Sequence, residues 1–330
     1  MNHLIIYHKE DNDGVFSGAM MYHYVTRKLG FDIADVELFG ATYNDLNNIT
    51  QENLEYWKET FNHVVMVDIS FNDIKKMKWL YDNFGNNFIW CDHHKPIILE
   101  SYKKGFSDVI GVRQTNCSAI LCTYKYLYDP FDEQRNNGTI PKLLRLLSGW
   151  DSWTYEQEGF TRDYCQFVNK GVLNEFKLDI MAVVNFLDTY FLDMNSEYED
   201  QTIQDWYDIG ELLVNYDNEN AKQNIINNGD NNWVVKNGDE IRPACAIFIQ
   251  GSSNSIMFSS LKNTEIKNGI VFKRNSDSNW TISLYNINDN DEFHCGEFLK
   301  KKYKGGGHLG AAGCTVKQSK FINMLKNKFI

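Results

Sequence analysis

Along the first 95 residues, short unbroken apolar runs alternate with stretches in which apolar positions recur every three to four residues. The runs predict strands over Leu4–His8, Val36–Ala41, Val64–Ile69 and Phe88–Cys91, and the helical spacings predict helices over Val15–Leu29, Thr50–Phe61 and Ile74–Phe84. Gly30 stands where a left-handed C-cap would end the first helix. Strands alternating with helices build a parallel sheet covered on both faces, and such sheets present their chemistry at the carboxyl ends of the strands.

The pattern then turns mainly helical, over Cys117–Tyr128, Lys142–Leu147, Leu178–Leu192 and a long segment Glu197–Ile226. Strand alternation returns at Ala244–Gln250, Gly269–Lys273 and Trp280–Ile287, with helices near Cys295–Lys302 and Lys320–Lys328. The expected class is α/β, with a catalytic domain over residues 1–195, a helical connector over 196–230 and a smaller α/β domain over 231–330. A linker is expected in the asparagine-rich stretch at 227–232.

Composition narrows the function classes. A chain of 330 residues with 43% hydrophobic and 23% charged positions is a packed globular protein, not a disordered one. Its longest apolar runs fall far short of the ~20 residues that cross a bilayer, and Leu4–Tyr7 is too short for a signal-peptide core, so a cytoplasmic protein is expected, with no membrane partner. Seven cysteines without a C-x-x-C pair suggest reduced packing residues. The net charge of -11 argues against binding long duplex nucleic acid, whose affinity rests on many basic contacts to phosphate. That charge is uneven: residues 231–330 hold 14 basic against 8 acidic side chains. Lys300, Lys301, Lys302 and Lys304 can attract a few phosphates, enough for a short substrate.

Aspartates and histidines gather just past the expected strands. Asp11 and Asp13 precede Gly14 in a turn after the first strand, Asp68 follows the third, Asp92-His93-His94 follows the fourth, and Asp151 lies between Trp150 and Trp153. Taken singly, Asp11, Asp13 and Asp68 read as turn or cap residues and Asp151 as a hydrogen-bonded structural group. Three consecutive ligand-type residues after a buried strand have no packing purpose. Converging carboxylates repel unless cations neutralise them, and two divalent ions would balance Asp11, Asp13, Asp68 and Asp151. Carboxylates with a minority of imidazoles suit Mn²⁺, or Mg²⁺ in its place, better than a thiolate zinc site. Such a pair, about 4 Å apart, activates water and clamps phosphoryl oxygens.

Near the end of the chain stands Gly305-Gly306-Gly307-His308. Its glycines fit G-x-G-x-x-G formally, but too little chain follows for a dinucleotide-binding unit. A tri-glycine turn exposes backbone N–H groups, and a helix opening from it would offer more, a cradle for phosphate with His308 alongside.

Together these segments resemble the DHH phosphoesterases that carry a DHHA1-type C-terminal domain. The D-x-D-G-V start and W-x-D-H-H-K are most similar to the nano-RNase (oligoribonuclease) branch. The resemblance implies that His8 and Asp11 hold one metal and Asp13, His93 and Asp151 the other, with Asp68 bridging. It makes Asp92 a supporting residue and sets His94 toward the substrate phosphate or leaving group. Gly305, Gly306, Gly307 and His308 become substrate-binding. One departure concerns substrate: many relatives carry an Arg-Ser pair on the strand before the glycine motif, where this chain has Ser283-Leu284-Tyr285-Asn286.

The expectation is therefore a hydrolase of phosphoric esters: a Mn²⁺-dependent phosphodiesterase of exoribonuclease type, converting short oligonucleotides to mononucleotides. The alternatives are a phosphatase or diesterase of a small nucleotide, such as a cyclic dinucleotide or 3'-phosphoadenosine 5'-phosphate, and an inactive nucleotide-binding module. Retention of every acidic ligand opposes the last, and the glycine turn opposes a pyrophosphatase. RNA against DNA, cleavage polarity and oligomeric state stay open.

Overall fold

The structure is a computed structural model that describes residues 2–128, 140–193, 196–250, 255–275, 278–288 and 291–330. Four parallel strands, β1 (His3–His8), β2 (Val36–Ala41), β3 (His63–Val67) and β4 (Phe88–Cys91), form a sheet in the order β2-β1-β3-β4. Side chains alternate across a strand, so each strand feeds two cores. Ile5, Tyr7, Val65 and Val67 enter one, while Leu4, Ile6, Val64, Met66, Phe88 and Trp90 enter the other. Burial on both faces is why these strands read as apolar runs rather than alternation.

The second of these cores is covered by α3 (Gln51–Thr60), α4 (Ile74–Phe84) and α5 (Lys95–Lys103), with the short α2 (Tyr43–Asn47) after β2. The first is covered by α1 (Asn12–His23), α6 (Ala119–Leu127), α7 (Lys142–Asp151), α8 (Arg162–Phe176) and α9 (Ile180–Asp193). Helix α1 is shorter than expected, continuing beyond His23 as a π-helical turn over Tyr24–Lys28. Helix α8 is not expected from the pattern, because Gly171 interrupts it. Its reason is contact: a Cβ at Gly171 would lie 2.0 Å from the Trp206 carbonyl oxygen of α10 (Ser196–Asn228), so only glycine allows that approach.

The chain divides into two compact units, Met1–Leu213 and Val214–Ile330, and the division falls within α10. The boundary expected at residue 195 falls on residues 194–195, which lie outside the described residues. The second unit holds a six-stranded sheet, ordered β5-β6-β7-β8-β10-β9 and built from β5 (Asp230–Asn237), β6 (Glu240–Ile249), β7 (Asn268–Arg274), β8 (Asn279–Asn286), β9 (Gly306–Gly307) and β10 (Ala311–Lys317). Among the described strand pairs of this sheet, only β6–β7 is parallel. Strand β5 begins inside the expected linker, because Trp233 and Val235 are fully buried and pair the polar stretch onto β6. Helices α11 (Cys295–Tyr303) and α12 (Gln318–Asn327) complete the unit, with Phe298, Leu299, Phe321 and Met324 in its main core.

The glycine turn opens into strand β10, not into a helix. Gly306 and Gly307 pair with Gly313 and Ala312, while β10 continues along β8 through alternating buried Ala312, Cys314 and Val316. All seven cysteines are unbridged and buried. Among the described residues, no helix is long and apolar enough to cross a membrane.

Candidate metal centre

In a parallel sheet ordered β2-β1-β3-β4 the connections diverge between β1 and β3, and the crevice at such a point is where ligands bind. His8 ends β1, Asp68 follows β3 and Asp92-His93-His94 follow β4. Asp11 is the N-cap of α1, accepting a hydrogen bond from the Gly14 amide at 2.9 Å. Glycine is required at 14 because a Cβ there would sit 2.1 Å from the His8 carbonyl oxygen. The expected turn containing both Asp11 and Asp13 is therefore shorter: the helix begins at Asn12, and Asp13 lies in its first turn. Buried Asp13 accepts from the Ala119 and Ile120 amides at 2.9 and 2.8 Å, which fixes it on the N-terminus of α6.

The candidate ligands converge. His8 Nδ1 lies 3.0 Å from Asp11 Oδ2 and 3.5 Å from Asp68 Oδ2. His93 Nε2 lies 3.3 Å from Asp68 Oδ1, 3.5 Å from Asp151 Oδ2 and 3.7 Å from Asp13 Oδ2. Two groups with all ligand atoms within 4.8 Å result, His8–Asp11–Asp68 and Asp13–His93–Asp151, and Asp68 also forms a third with His93 and His94. Asp68 Oδ1 and Asp151 Oδ2 are buried yet accept no hydrogen bond: they face His93 Nε2 at ion-pair distance without hydrogen-bond geometry. Buried carboxylate oxygens ordinarily have partners. Two orphans within the ligand set are what a site built for cations leaves, so the residues present fit divalent metal.

The backbone of Asp68 is left-handed, with φ 57°, a conformation an aspartate tolerates better than most residues. Its amide donates to the Cys91 carbonyl at 3.0 Å, tying the ends of β3 and β4 together.

Electrostatics report the crowding. Burial first, then the neighbouring charge of Asp13, pushes the Asp68 carboxyl well above the usual range. Burial, Asp13 and Asp68 push Asp151 up to about 9. Burial alone would lower His8, but its bonds with Asp11 and Asp68 raise it to about 10. Against burial, Asp13 and Asp151 raise His93. Cationic charge would reverse each of these shifts.

Asp92 behaves differently. It is fully buried, and its Oδ1 accepts from the His93 and His94 amides at 2.7 and 3.1 Å while Oδ2 accepts from Trp90 Nε1 at 2.9 Å. The same Oδ1 lies 2.7 Å from His94 Nδ1. Burial works against its charge, but the bond with His94 holds the Asp92 carboxyl low. The oxygens of Asp92 are thus committed to two amides, an indole and the Nδ1 of His94.

One neighbour of the site is not foreshadowed by any motif. Tyr43, just past β2, packs its ring against His8 and His94 at centroid distances of 5.7 and 5.8 Å. The available signal is positional, since β2 ends at the same edge of the sheet. Gly305–His308 lie in the second unit, with Gly306, Gly307 and His308 exposed and the His308 amide bonded to the Ala311 carbonyl at 2.7 Å. Ser283 and Tyr285 lie in β8 opposite Gly313 and Ala311, and Tyr285 is buried.

The first unit is thus an α/β domain with a carboxylate-imidazole centre at the switch point of its sheet. Residues 2–148 match the family model described as DHH family, N-terminal domain. Among curated proteins, the uncharacterized protein R106 of Acanthamoeba polyphaga mimivirus is 27% identical over 155 residues, which is 46% of this chain and 34% of that protein. The chain thus spans about a third of that relative's length. Similar solved structures include the pGpG-specific phosphodiesterase PggH from Vibrio cholerae, 12% identical with a TM-score of 0.43 over 99% of this chain and 96% of that one. The exonuclease RecJ bound to manganese is 13% identical with a TM-score of 0.48 over 98% and 88%. RecJ in complex with Mn²⁺ from Thermus thermophilus is 13% identical with a TM-score of 0.49 over 99% and 51%.

Proposed function

We propose that the chain is a phosphoric ester hydrolase of the DHH family that uses two divalent ions, Mn²⁺ for preference, to cleave short oligonucleotides to mononucleotides. The observation that carries this reading is the pair of ligand groups, His8–Asp11–Asp68 and Asp13–His93–Asp151, with buried carboxylate oxygens left unpartnered. Ions held there would supply Lewis acidity to an attacking water and to the phosphoryl oxygens. Asp68 belongs to a group on either side and would be the ligand shared by both ions. Asp13, held by two amides of α6, keeps its carboxylate fixed as the other ligands approach. Asp92 orients His94 through Nδ1, and its charge with that of Asp68 raises the His94 imidazole against the opposing effect of burial. A proton on Nε2 can then pass to the departing oxygen.

The second unit is read as a DHHA1-type substrate-binding domain, with the exposed Gly306-Gly307 backbone and His308 as its phosphate contacts. The lysines of α11 suit a substrate with few phosphates.

Product analysis tests this reading, using Mn²⁺ with di- to pentanucleotides, cyclic dinucleotides and 3'-phosphoadenosine 5'-phosphate, each with and without excess chelator. Mononucleotides from the linear substrates, lost on chelation, are expected. Cleavage confined to the cyclic or bisphosphorylated compounds would move the assignment to a small-nucleotide esterase. Full turnover in chelator would end the two-metal reading.

A further inference from the structure

We propose that Trp153 is a stacking platform for a nucleobase, so that the substrate of the centre is a nucleoside phosphate and not an inorganic or base-free phosphoester. The inference rests on the phosphoesterase reading above and adds the part of the substrate that the metal ligands do not touch. Trp153 follows the candidate ligand Asp151 by two residues, so their Cα atoms are at most about 7.6 Å apart.

Trp153 is 65% exposed. Burying so large an apolar surface would favour folding, so leaving it in water stabilises nothing. The exposure is also not slack in the chain. Trp153 has a left-handed backbone, φ 59°, a strained conformation for a bulky residue that persists only when its surroundings enforce it. They do so here on both sides: the Ser152 amide donates to Ser148 O at 2.9 Å, the Thr154 amide donates to Gly149 O at 3.1 Å, and the Ser152 and Thr154 hydroxyls bond to each other at 2.9 Å. A rigid turn therefore holds an indole out from the end of α7, next to the ligand that α7 supplies.

Two neighbours pack against the ring and still leave most of the side chain in water. The Trp150 ring lies nearly parallel, at 20°, but with centroids 6.2 Å apart. That is a laterally offset pair, unlike the close stack of Trp280 on Phe321 at 3.8 Å. The Arg162 guanidinium carbon lies 5.3 Å from the Trp153 ring, and the buried Arg162 Nε makes no hydrogen bond. A cation over an indole, beside a second aromatic ring, makes an electropositive π surface. Bases stack on such surfaces with little regard to sequence, because every base has a π face.

The test is calorimetric titration, in Mn²⁺ buffer, of AMP and of ribose 5-phosphate into the 330-residue chain and its Trp153→Ala and Trp153→Phe variants. The pair of ligands differs only in the base. Wild type should bind AMP about 5- to 150-fold tighter than ribose 5-phosphate, the range expected for one stacked base. Trp153→Ala should remove that margin and leave ribose 5-phosphate affinity unchanged, while Trp153→Phe should keep most of it. Equal affinity of wild type for the two ligands, no AMP binding, or a Trp153→Ala loss shared equally by ribose 5-phosphate would overturn the platform. Failure of the hydrolase reading looks different: the AMP margin would follow Trp153 while wild type cleaves no phosphoester.

Discussion

Replacing Asp151 by asparagine should stabilise the metal-free protein while removing what metal adds. In the folded chain burial, Asp13 and Asp68 push the Asp151 carboxyl up to about 9, against an ordinary value of 3.8. A carboxyl whose proton affinity is raised by folding is protonated in the native state and ionised in the unfolded state across that window. Stability is therefore lost as pH rises from about 4 toward 9. At pH 7 the full linkage amounts to about 4 kcal/mol, some three pH units at ~1.4 kcal/mol each. The side chain is 27% exposed, and solvent takes up part of the charge, so a gain of about 1–3 kcal/mol is expected for Asp151→Asn at pH 7. It should be small near pH 4 and vanish below about pH 3, where both states are protonated. Urea unfolding in chelator at pH 4, 7 and 8.5 reads this directly. Adding Mn²⁺ should then reverse the order, since a ligand at 100 times its Kd stabilises by ~2.7 kcal/mol and the variant has lost a ligand atom. An asparagine variant no more stable than wild type at pH 7 to 8.5 in chelator would refute the claim that the carboxylates repel one another in the empty centre.

The other predictions bear on the same residues. Asp68→Ala should abolish binding of both ions and nearly all turnover, whereas Asp92→Ala, which removes the acceptor for His94, the two amides and the Trp90 indole but no metal ligand, should cost nearer 10- to 100-fold; comparable modest losses at both positions would reject the division of roles. Mn²⁺ binding at pH 7 should release protons, because His8 at about 10 and Asp151 at about 9 each hold one before ligation and the raised Asp68 carboxyl adds to them. Calorimetry in two buffers of different ionisation enthalpy counts them, and a release near zero would show that the ligands are not protonated beforehand.

Much of this centre is legible in the linear sequence because parallel sheets obey simple geometry. Apolar runs locate β1, β3 and β4, and whatever follows them must meet at one edge, so His8, Asp68 and Asp92-His93-His94 could be placed together before any coordinates. Asp151 was legible only as a candidate: α7 lies over fifty residues beyond β4, and packing of α7 against α6 and α8 brings it to the others. The division of labour between Asp13 and Asp92 was equally hidden, since it depends on which amides each carboxylate meets, and those belong to α6 in one case and to the next two residues in the other.

Local propensity failed where contacts between distant segments override it. Helix α8 goes unread until Gly171 is seen to let the Trp206 carbonyl approach, and the asparagines around 230 read as a linker until Trp233 and Val235 are seen in a core. The glycine turn at 305–307 enters a strand because β8 offers β10 a partner along its whole length. The sequence by itself determined the four strands of the first sheet, the residue types at their ends and the demand those charges make for cations. Tertiary structure alone decided which oxygens remain unpartnered and that Trp153 stands exposed, because both depend on what surrounds a group in space, and that is set by chain segments far away in sequence.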